Sequence, residues 1–308
     1  MKIDNQSVLD LAGEFEFDLV GFSKAEKLDE EVVHLKKWLG KNYQASMKYM
    51  ERNIDKREDV SNILRDAKSV ISLGMNYYKD EEFPDEKESG KISRYAWGRD
   101  YHYVIWEKLD QFVAGLKKMD FEFEAKTYVD TGPVMDKAWA IRSGIGWLGK
   151  HTNVINREIG SWFFIANIIN NYEFDYNEPI ADYCGSCTAC LEACPTNAIV
   201  DEYIVDSNKC ISFLTIENKE ETIPDGFSGK FDDWIFGCDI CQDVCPWNKK
   251  SSKPSSIKYF EPKYKTINID EIFSMSNRSF KEIFSDSPIS RAKLKGILRN
   301  GSFLKSRK

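Results

Sequence analysis

Four cysteines within eleven residues, Cys184-Gly-Ser-Cys187-Thr-Ala-Cys190-Leu-Glu-Ala-Cys194 followed by Pro195, constrain this chain more than any other feature. Thiolates spaced C-x2-C-x2-C-x3-C-P hold iron–sulfur clusters. A second run, Cys238-Asp-Ile-Cys241-Gln-Asp-Val-Cys245-Pro246, repeats the last three cysteines and the proline, with Ile235 where the first thiol would fall. Cys210, the one cysteine outside the two runs, is free to replace it, so the eight cysteines supply two four-iron clusters with none left over. In two-cluster ferredoxins the fourth cysteine of each run binds the other cluster. That rule assigns Cys184, Cys187, Cys190 and Cys245 to one cluster and Cys194, Cys210, Cys238 and Cys241 to the second. Two zinc sites are the alternative, since paired C-x2-C motifs also build tetrahedral thiolate centres. Disulfides fit less well, because no secretory leader is visible and such tight spacing favours metal.

The 308 residues, 42% hydrophobic and 13% aromatic, suffice for a sizeable core and roughly two or three domains. No uninterrupted apolar segment reaches the roughly 18 residues that span a bilayer, so a soluble, cytoplasmic protein without membrane contact is expected. The net charge of -7 argues against a globally basic nucleic-acid coat and leaves only local patches. One stands at the end, where Arg291 to Lys308 contains seven Lys or Arg and no acid. It reads equally as a frayed, solvated tail or as an RNA contact.

The cysteines occupy 184–245, which leaves some other task to the long segment before them. Its pattern is mixed. Helices are expected near Ser7–Phe15, Glu31–Arg52, Tyr103–Met119 and Pro133–Arg142, the last ended by Ser143-Gly144. Leu19–Phe22 is an apolar run, and strands are expected at Ser69–Tyr78 and Phe121–Val129, with Thr152–Ile155 and Ser161–Ile169 joined as a hairpin. The elements do not alternate strictly, so the fold class is α+β rather than a doubly wound sheet. Gly144-Ile-Gly146-Trp-Leu-Gly149 matches the dinucleotide fingerprint but follows a helix and lacks the acid about 20 residues on. With Lys150 it nearly makes a phosphate loop, yet His151 replaces the required hydroxyl. The glycines read instead as a tight turn that brings backbone close to a ligand. Asp100-Tyr-His102 begins a cobalamin-binding Asp-x-His-x-x-Gly pattern, but Ile105 replaces its glycine, so axial histidine ligation is unsupported.

The cysteine pattern joined to Arg94-Tyr-Ala-Trp-Gly-Arg-Asp-Tyr-His102, Val129-Asp-Thr-Gly-Pro133, Gly144-Ile-Gly-Trp-Leu-Gly-Lys-His-Thr-Asn153 and Cys210-Ile-Ser-Phe-Leu-Thr215 resembles epoxyqueuosine reductase over about residues 1–300. The resemblance implies cobalamin beside two 4Fe-4S clusters and the reduction of epoxyqueuosine to queuosine at the tRNA wobble position. It implies a catalytic cobalamin-binding domain at 1–175, a two-cluster ferredoxin-like domain at 176–250, and a helical segment at 251–308. That last segment is truncated relative to family members with helical repeats. The partners it implies are tRNA with an epoxyqueuosine-containing anticodon stem-loop and an external low-potential electron donor such as ferredoxin or flavodoxin, and a monomer is expected.

By the same resemblance Asp130 is the proton donor, expected to be buried beside the corrin with a raised pKa. Its place after a predicted strand suits a presented side chain, although an Asp capping the helix near Pro133 would look alike. Asp130, Gly149, Lys150, His151, Thr152, Asn153 and Val154 are expected along the corrin, with Arg57, Ser93, Ser212 and Asp239 as further contacts. Arg57 also reads as part of a solvated charge run, and His151 as a satisfied surface residue. Lys137 takes the place of a family arginine that approaches tRNA. Two other functions share parts of this pattern. A cobalamin-dependent reductive dehalogenase would carry a twin-arginine export signal, absent from Met1–Asn5. A ferredoxin-type electron carrier would leave the front domain unexplained.

Overall fold

The computed structural model describes residues 3–306, whose strands are β1 (Leu19–Lys24), β2 (Ser69–Asn76), β3 (Ser89–Ile92), β4 (Ala125–Tyr128), β5 (Trp147–Leu148), β6 (Val154–Ile155), β7 (Phe163–Asn170), β8 (Ile199–Asp201), β9 (Ile204–Val205), β10 (Trp234–Phe236) and β11 (Thr266–Asn268). The helices of the front part are α1 (Asn5–Glu14), α2 (Asp29–Gly40), α3 (Ile54–Glu58), α4 (Tyr101–Met119) and α5 (Asp136–Arg142). Those of the rear are α6 (Ala189–Ala193), α7 (Ile211–Ile216), α8 (Ile240–Asp243), α9 (Pro246–Ser251), α10 (Ile269–Ser274), α11 (Asn277–Phe284) and α12 (Lys293–Lys305).

The main sheet runs β1-β2-β7-β4 with every neighbouring pair antiparallel. This is the α+β arrangement expected from the irregular order of elements. β2 is buried along its whole length because both faces of the sheet are covered. Ile71, Leu73 and Met75 pack with α1 and α4, whereas Val70 packs with Leu28, Val60, Val134 and Trp139. α4 presents Val104, Ile105, Leu109, Phe112 and Leu116 at helical spacing to the first of these cores, and the Asp100 side chain caps its start. The end of α5 rests directly on β1. A Cβ on Gly21 would lie 2.1 Å from the Ser143 carbonyl oxygen, so glycine is what permits the approach.

Two local expectations fail for identifiable reasons. The helix read from Glu31 to Arg52 stops at Gly40, since Asn42, Ala45 and Asn53 take positive φ. The expected hairpin of 152–155 with 161–169 is reduced to an Asn156–Gly160 bridge, because β6 turns back onto β5 while β7 joins the main sheet.

The packing also crosses the domain bounds read from sequence. β10, β3 and β11 form one sheet, so residues from all three sequence segments share it. Around it Ile92 and Trp97 meet Ile211, Leu214 and Trp234, together with Ile297 and Phe303 of α12. The basic end is therefore not a frayed tail over its described residues. Leu294, Ile297, Phe303 and Leu304 are buried, each contributing about 1.5–3 kcal/mol. Arg299 donates to the carbonyls of Leu214, Asn218 and Glu220, Arg291 pairs with Glu217, and Lys305 pairs with Asp270. Arg307 and Lys308 lie outside the described residues.

Buried Asn300 holds this second core together by donating to the carbonyls of Thr215 and Ile235, both at 2.8 Å. Asn300→Ala leaves two buried acceptors unpaired and should cost about 2–4 kcal/mol. Calorimetry should show a lowered Tm, and an unchanged Tm would mean that the two bonds are dispensable.

Candidate active site and cluster cradles

All eight cysteines are free thiols, and backbone N–H groups are turned toward them. Cys194 Sγ accepts from the Ala198 N–H at 3.2 Å. Backbone N–H groups of Ser212 and Phe213 face Cys210, that of Ile240 faces Cys238, those of Trp247 and Asn248 face Cys245, and that of Lys150 faces Cys184. Such donors suit sulfur that carries the negative charge of a cluster. The Trp147 indole packs in the same apolar group as Cys184 and Cys245, with its N–H turned toward the Cys184 sulfur.

Burial raises the pKa values of Cys184, Cys190, Cys210, Cys238, Cys241 and Cys245, and the secondary effects show which thiols are neighbours. Cys190 is pushed up to about 11 by burial and then by Cys245, Cys184 and Cys187. Cys245 is raised by burial and by Cys187. Cys238 and Cys241 are held well above the ordinary thiol range, first by burial and then by Cys241 in the case of Cys238 and by Cys210 in the case of Cys241. Cys210 is raised by burial and by Cys194. The thiols thus fall into two neighbourhoods, 184/187/190/245 and 194/210/238/241, which touch where Cys241 feels Cys190. Among the described residues no three His, Cys, Asp or Glu side chains close on a single-ion site. A four-iron cluster calls for a wider cradle, because its four ligands go to different irons.

Between Cys238 and Cys241, fully buried Asp239 accepts from the Ser93 hydroxyl and from the Arg94 N–H at 2.8 Å. Burial pushes its pKa up to about 6, with Asp243 adding to the rise. The Arg94 guanidinium lies 3.6 Å from Asp239 and 2.9 Å from Asp243, and packs against Phe83, Trp97 and Trp162. Ser93 and Asp239, expected as separate cofactor contacts, are thus hydrogen-bonded to each other.

Asp130 follows β4 with φ +52°, the left-handed region that Asp tolerates better than most residues. Its carboxylate accepts from the Tyr101 hydroxyl at 2.8 Å, and Tyr101 is stacked on Phe164 in the main core. In the protein alone Asp130 is exposed, contrary to the buried carboxyl expected from sequence. The turn Asp130-Thr-Gly-Pro133 sets it at the surface. Nor does it cap α5, which begins at Asp136 with Met135 before it and no side-chain cap.

Lys137 donates to the Thr152 carbonyl at 2.8 Å and to Asn153 Oδ1 at 3.0 Å, which ties α5 to the glycine loop. Desolvation lowers its pKa, whereas Asp130, Cys241 and Cys210 act the other way. His151 is buried; its Nδ1 accepts from the Asn153 N–H at 3.2 Å, which leaves the proton on Nε2. That Nε2–H has no partner. Burial and Lys137 drive the imidazole pKa down to about 4, so the ring is neutral.

The remaining expected contacts have partners within the protein. The Lys150 ammonium is held by the Gly185 carbonyl and Glu202, each at 2.6 Å, which joins the glycine loop to the first cysteine run. Arg57 is buried rather than solvated, reaching the carbonyls of Tyr49, Arg52 and Val134. Val154 is buried in β6, Thr152 has φ +68°, and Ser212 opens α7. The glycines serve the protein's own packing: Gly144 has φ +71° after α5, and a Cβ on Gly146 would sit 2.4 Å from the Ile155 carbonyl. Gly149 packs against Ile155 and His151.

Comparison with known proteins bears on this arrangement. Residues 57–131 match the family model described as epoxyqueuosine reductase QueG, DUF1730, and residues 183–248 match the 4Fe-4S double cluster binding domain. An epoxyqueuosine reductase of Cellulophaga algicola is 48% identical over 92% of this chain and 92% of its own length. The chain belongs to the epoxyqueuosine reductase family. A second family member, from Leadbetterella byssophila, is 45% identical over 99% of both chains. The solved structure of an epoxyqueuosine reductase with an epoxyqueuosine-modified tRNA-Tyr stem loop superposes with a TM-score of 0.92 at 33% identity, covering 98% of this chain and 80% of that one.

Sequence reasoning had passed over Tyr101, Arg94 and Asp136, all within or beside the segments that carry the family resemblance. Their partners lie 29 to 149 residues away or on another strand, so local pattern gave no sign of them. Arg94→Met should leave Asp239 buried without its cation and cost about 3–5 kcal/mol. Thermal unfolding of the cluster-loaded protein should show the loss, and an unchanged Tm would remove the pair from the account.

Proposed function

We propose that this chain reduces epoxyqueuosine to queuosine in tRNA, with cobalamin and two 4Fe-4S clusters as cofactors and Asp130 as proton donor. The observation that carries this reading is the neutral His151 with its buried, unpartnered Nε2–H, bonded to Asn153, which also accepts from Lys137. Removing the epoxide oxygen takes two electrons and two protons and yields an alkene and water. Two clusters pass one electron at a time. When bound, cobalamin supplies the low-potential centre that delivers those electrons to substrate carbon.

The residues fit such a group. The unpartnered His151 Nε2–H is a buried donor suited to the amide-fringed rim of a corrin, and Lys137 and Asn153 border the same space. Asp130 sits at the open side, held at one carboxylate oxygen by Tyr101 and free to present the other to a substrate oxygen. Its exposure in the protein alone suits a group that a docked anticodon loop would cover. The cluster ligands follow the two thiol neighbourhoods: Cys184, Cys187, Cys190 and Cys245 for one cluster, and Cys194, Cys210, Cys238 and Cys241 for the one nearer Lys137. The 176–250 segment serves as the electron-transfer module, fed by an external carrier such as ferredoxin or flavodoxin. The reading takes the working enzyme as a cytoplasmic monomer; no helix among the described residues is long and apolar enough to cross a membrane.

Asp130→Asn should bind cobalamin and both clusters normally, by visible spectra and metal content, yet lose at least about 10²-fold in queuosine formation. Turnover close to that of the parent would remove Asp130 from the role. Cys245→Ser should lower iron toward about four per chain while sparing the cluster of the other neighbourhood, as read by electron paramagnetic resonance. Loss of the Cys194/Cys210 cluster instead would reverse the ligand partition.

A further inference from the structure

The two electrons of the reduction must enter from outside the chain, and one aromatic patch of its surface stands against a cysteine neighbourhood. Trp147, Tyr183 and Trp247 form a ring trio with centroids 5.0 to 6.0 Å apart. Trp147 is buried in one apolar group with Cys245, against which Cys184 and Trp247 pack. The other two rings reach the surface. Tyr183 is 41% exposed, and Trp247 is half-buried, its indole N–H donating to the Tyr183 carbonyl at 3.2 Å. The first cysteine run begins at the residue after Tyr183, and Gly185 and Ser186 lie exposed between Cys184 and Cys187. Two thiols of one neighbourhood thus lie immediately behind an aromatic surface.

Cations sit on both exposed rings, in a chain whose net charge is -7. The Arg157 guanidinium carbon lies 4.5 Å from the Tyr183 ring centre, and the Lys250 ammonium lies 5.7 Å from that of Trp247. Both side chains are exposed, and neither forms an ion pair among the described residues. The acids close by are engaged: Glu202 with Lys150, Asp243 with Arg94, and Asp182 with the Tyr203 hydroxyl and the Cys184 N–H. Exposed Lys249 and Glu158 adjoin the two cations in sequence and offset one another.

We propose that the Tyr183–Trp247 rim, with Arg157 and Lys250, is the docking surface for an acidic one-electron carrier protein, which delivers electrons to the cluster of Cys184, Cys187, Cys190 and Cys245. The inference rests on the reading of those cysteines as ligands of a 4Fe-4S cluster. Each encounter oxidises the carrier by one electron and reduces the cluster by one, so two encounters supply the two electrons of one turnover. No bond forms or breaks. Tyr, Trp and Arg are the side chains that most often anchor protein interfaces. Electron carriers dock through small, transient contacts, below about 1,200 Å², so a rim of this size suffices. Charge supplies the orientation. An acidic protein is repelled by the chain as a whole and drawn to its positive patch, which brings the carrier's redox centre against the cysteine run.

The test mixes cluster-loaded protein anaerobically with a reduced acidic ferredoxin and follows reduction of the 4Fe-4S clusters by stopped flow. The double variant Arg157→Glu with Lys250→Glu should keep the parent's iron content, Tm and cluster spectra, since both side chains are exposed. At low salt its second-order rate constant should fall at least about 10-fold, and the steep decline of the parent's rate with added salt should flatten. Arg157→Gln with Lys250→Gln should fall between the two. Reduction by photoreduced deazariboflavin, small and uncharged, should be the same in all three proteins. Equal ferredoxin rates for parent and charge-reversed protein overturn the inference, as does an equal loss with deazariboflavin, which marks a change at the cluster itself. Weaker binding of the tRNA stem loop, or loss of a parental dimer in sedimentation, with ferredoxin kinetics unchanged assigns the surface to RNA or to a second copy and overturns it too. Clusters missing from the parent reject the ligand reading beneath. Parental clusters that accept electrons through this surface while no queuosine forms reject the proposed function and support this inference.

Discussion

The buried carboxylate of Asp239 is the joint on which the rest of the molecule depends. It lies inside the second cysteine run, but its partners, Ser93 and Arg94, follow β3 of the front segment. A charge at this depth is tolerable only while its hydrogen bonds and its cation stay in place. The cluster-bearing loop cannot drift from the catalytic segment without leaving that carboxyl unpaired. Lys150, holding Gly185 and Glu202, makes a second tie from the glycine loop to the first cysteine run. The β10-β3-β11 sheet and α12 cover the joint with apolar side chains, so segments that look separable in sequence form one packed unit.

Rigid attachment has a chemical consequence. Electron transfer needs fixed separations between centres, and proton delivery needs a carboxyl at a fixed height above the reacting oxygen. The hydrogen bonds of Lys137 reach the glycine loop, and the Asp130, Cys210 and Cys241 charges act on its ammonium. A positive charge there favours anionic sulfur behind and a carboxylate in front. The same ammonium helps keep His151 neutral, so its Nε2 remains a donor.

Much of this was legible in the sequence because it depends on local spacing. The cysteine runs, the cap and stripe of α4, and Asp130 at the end of a strand are short-range patterns with physical causes. What escaped depends on contacts between distant residues. The hold of Glu202 on Lys150, 52 residues apart, is one such contact. The basic end looked like a tail because its charges outnumber its apolar residues, yet Leu294, Ile297, Phe303 and Leu304 meet a core that other segments build. Strands β3, β10 and β11 span only three or four residues each, too few for an alternating pattern to stand out.

The most direct test is mass spectrometry of nucleosides from an epoxyqueuosine-modified stem loop incubated anaerobically with the reconstituted protein and a strong reductant. Conversion to the product lacking one oxygen should require iron–sulfur loading and cobalamin together. Conversion that proceeds undiminished without cobalamin, or none with every component present, would contradict the account.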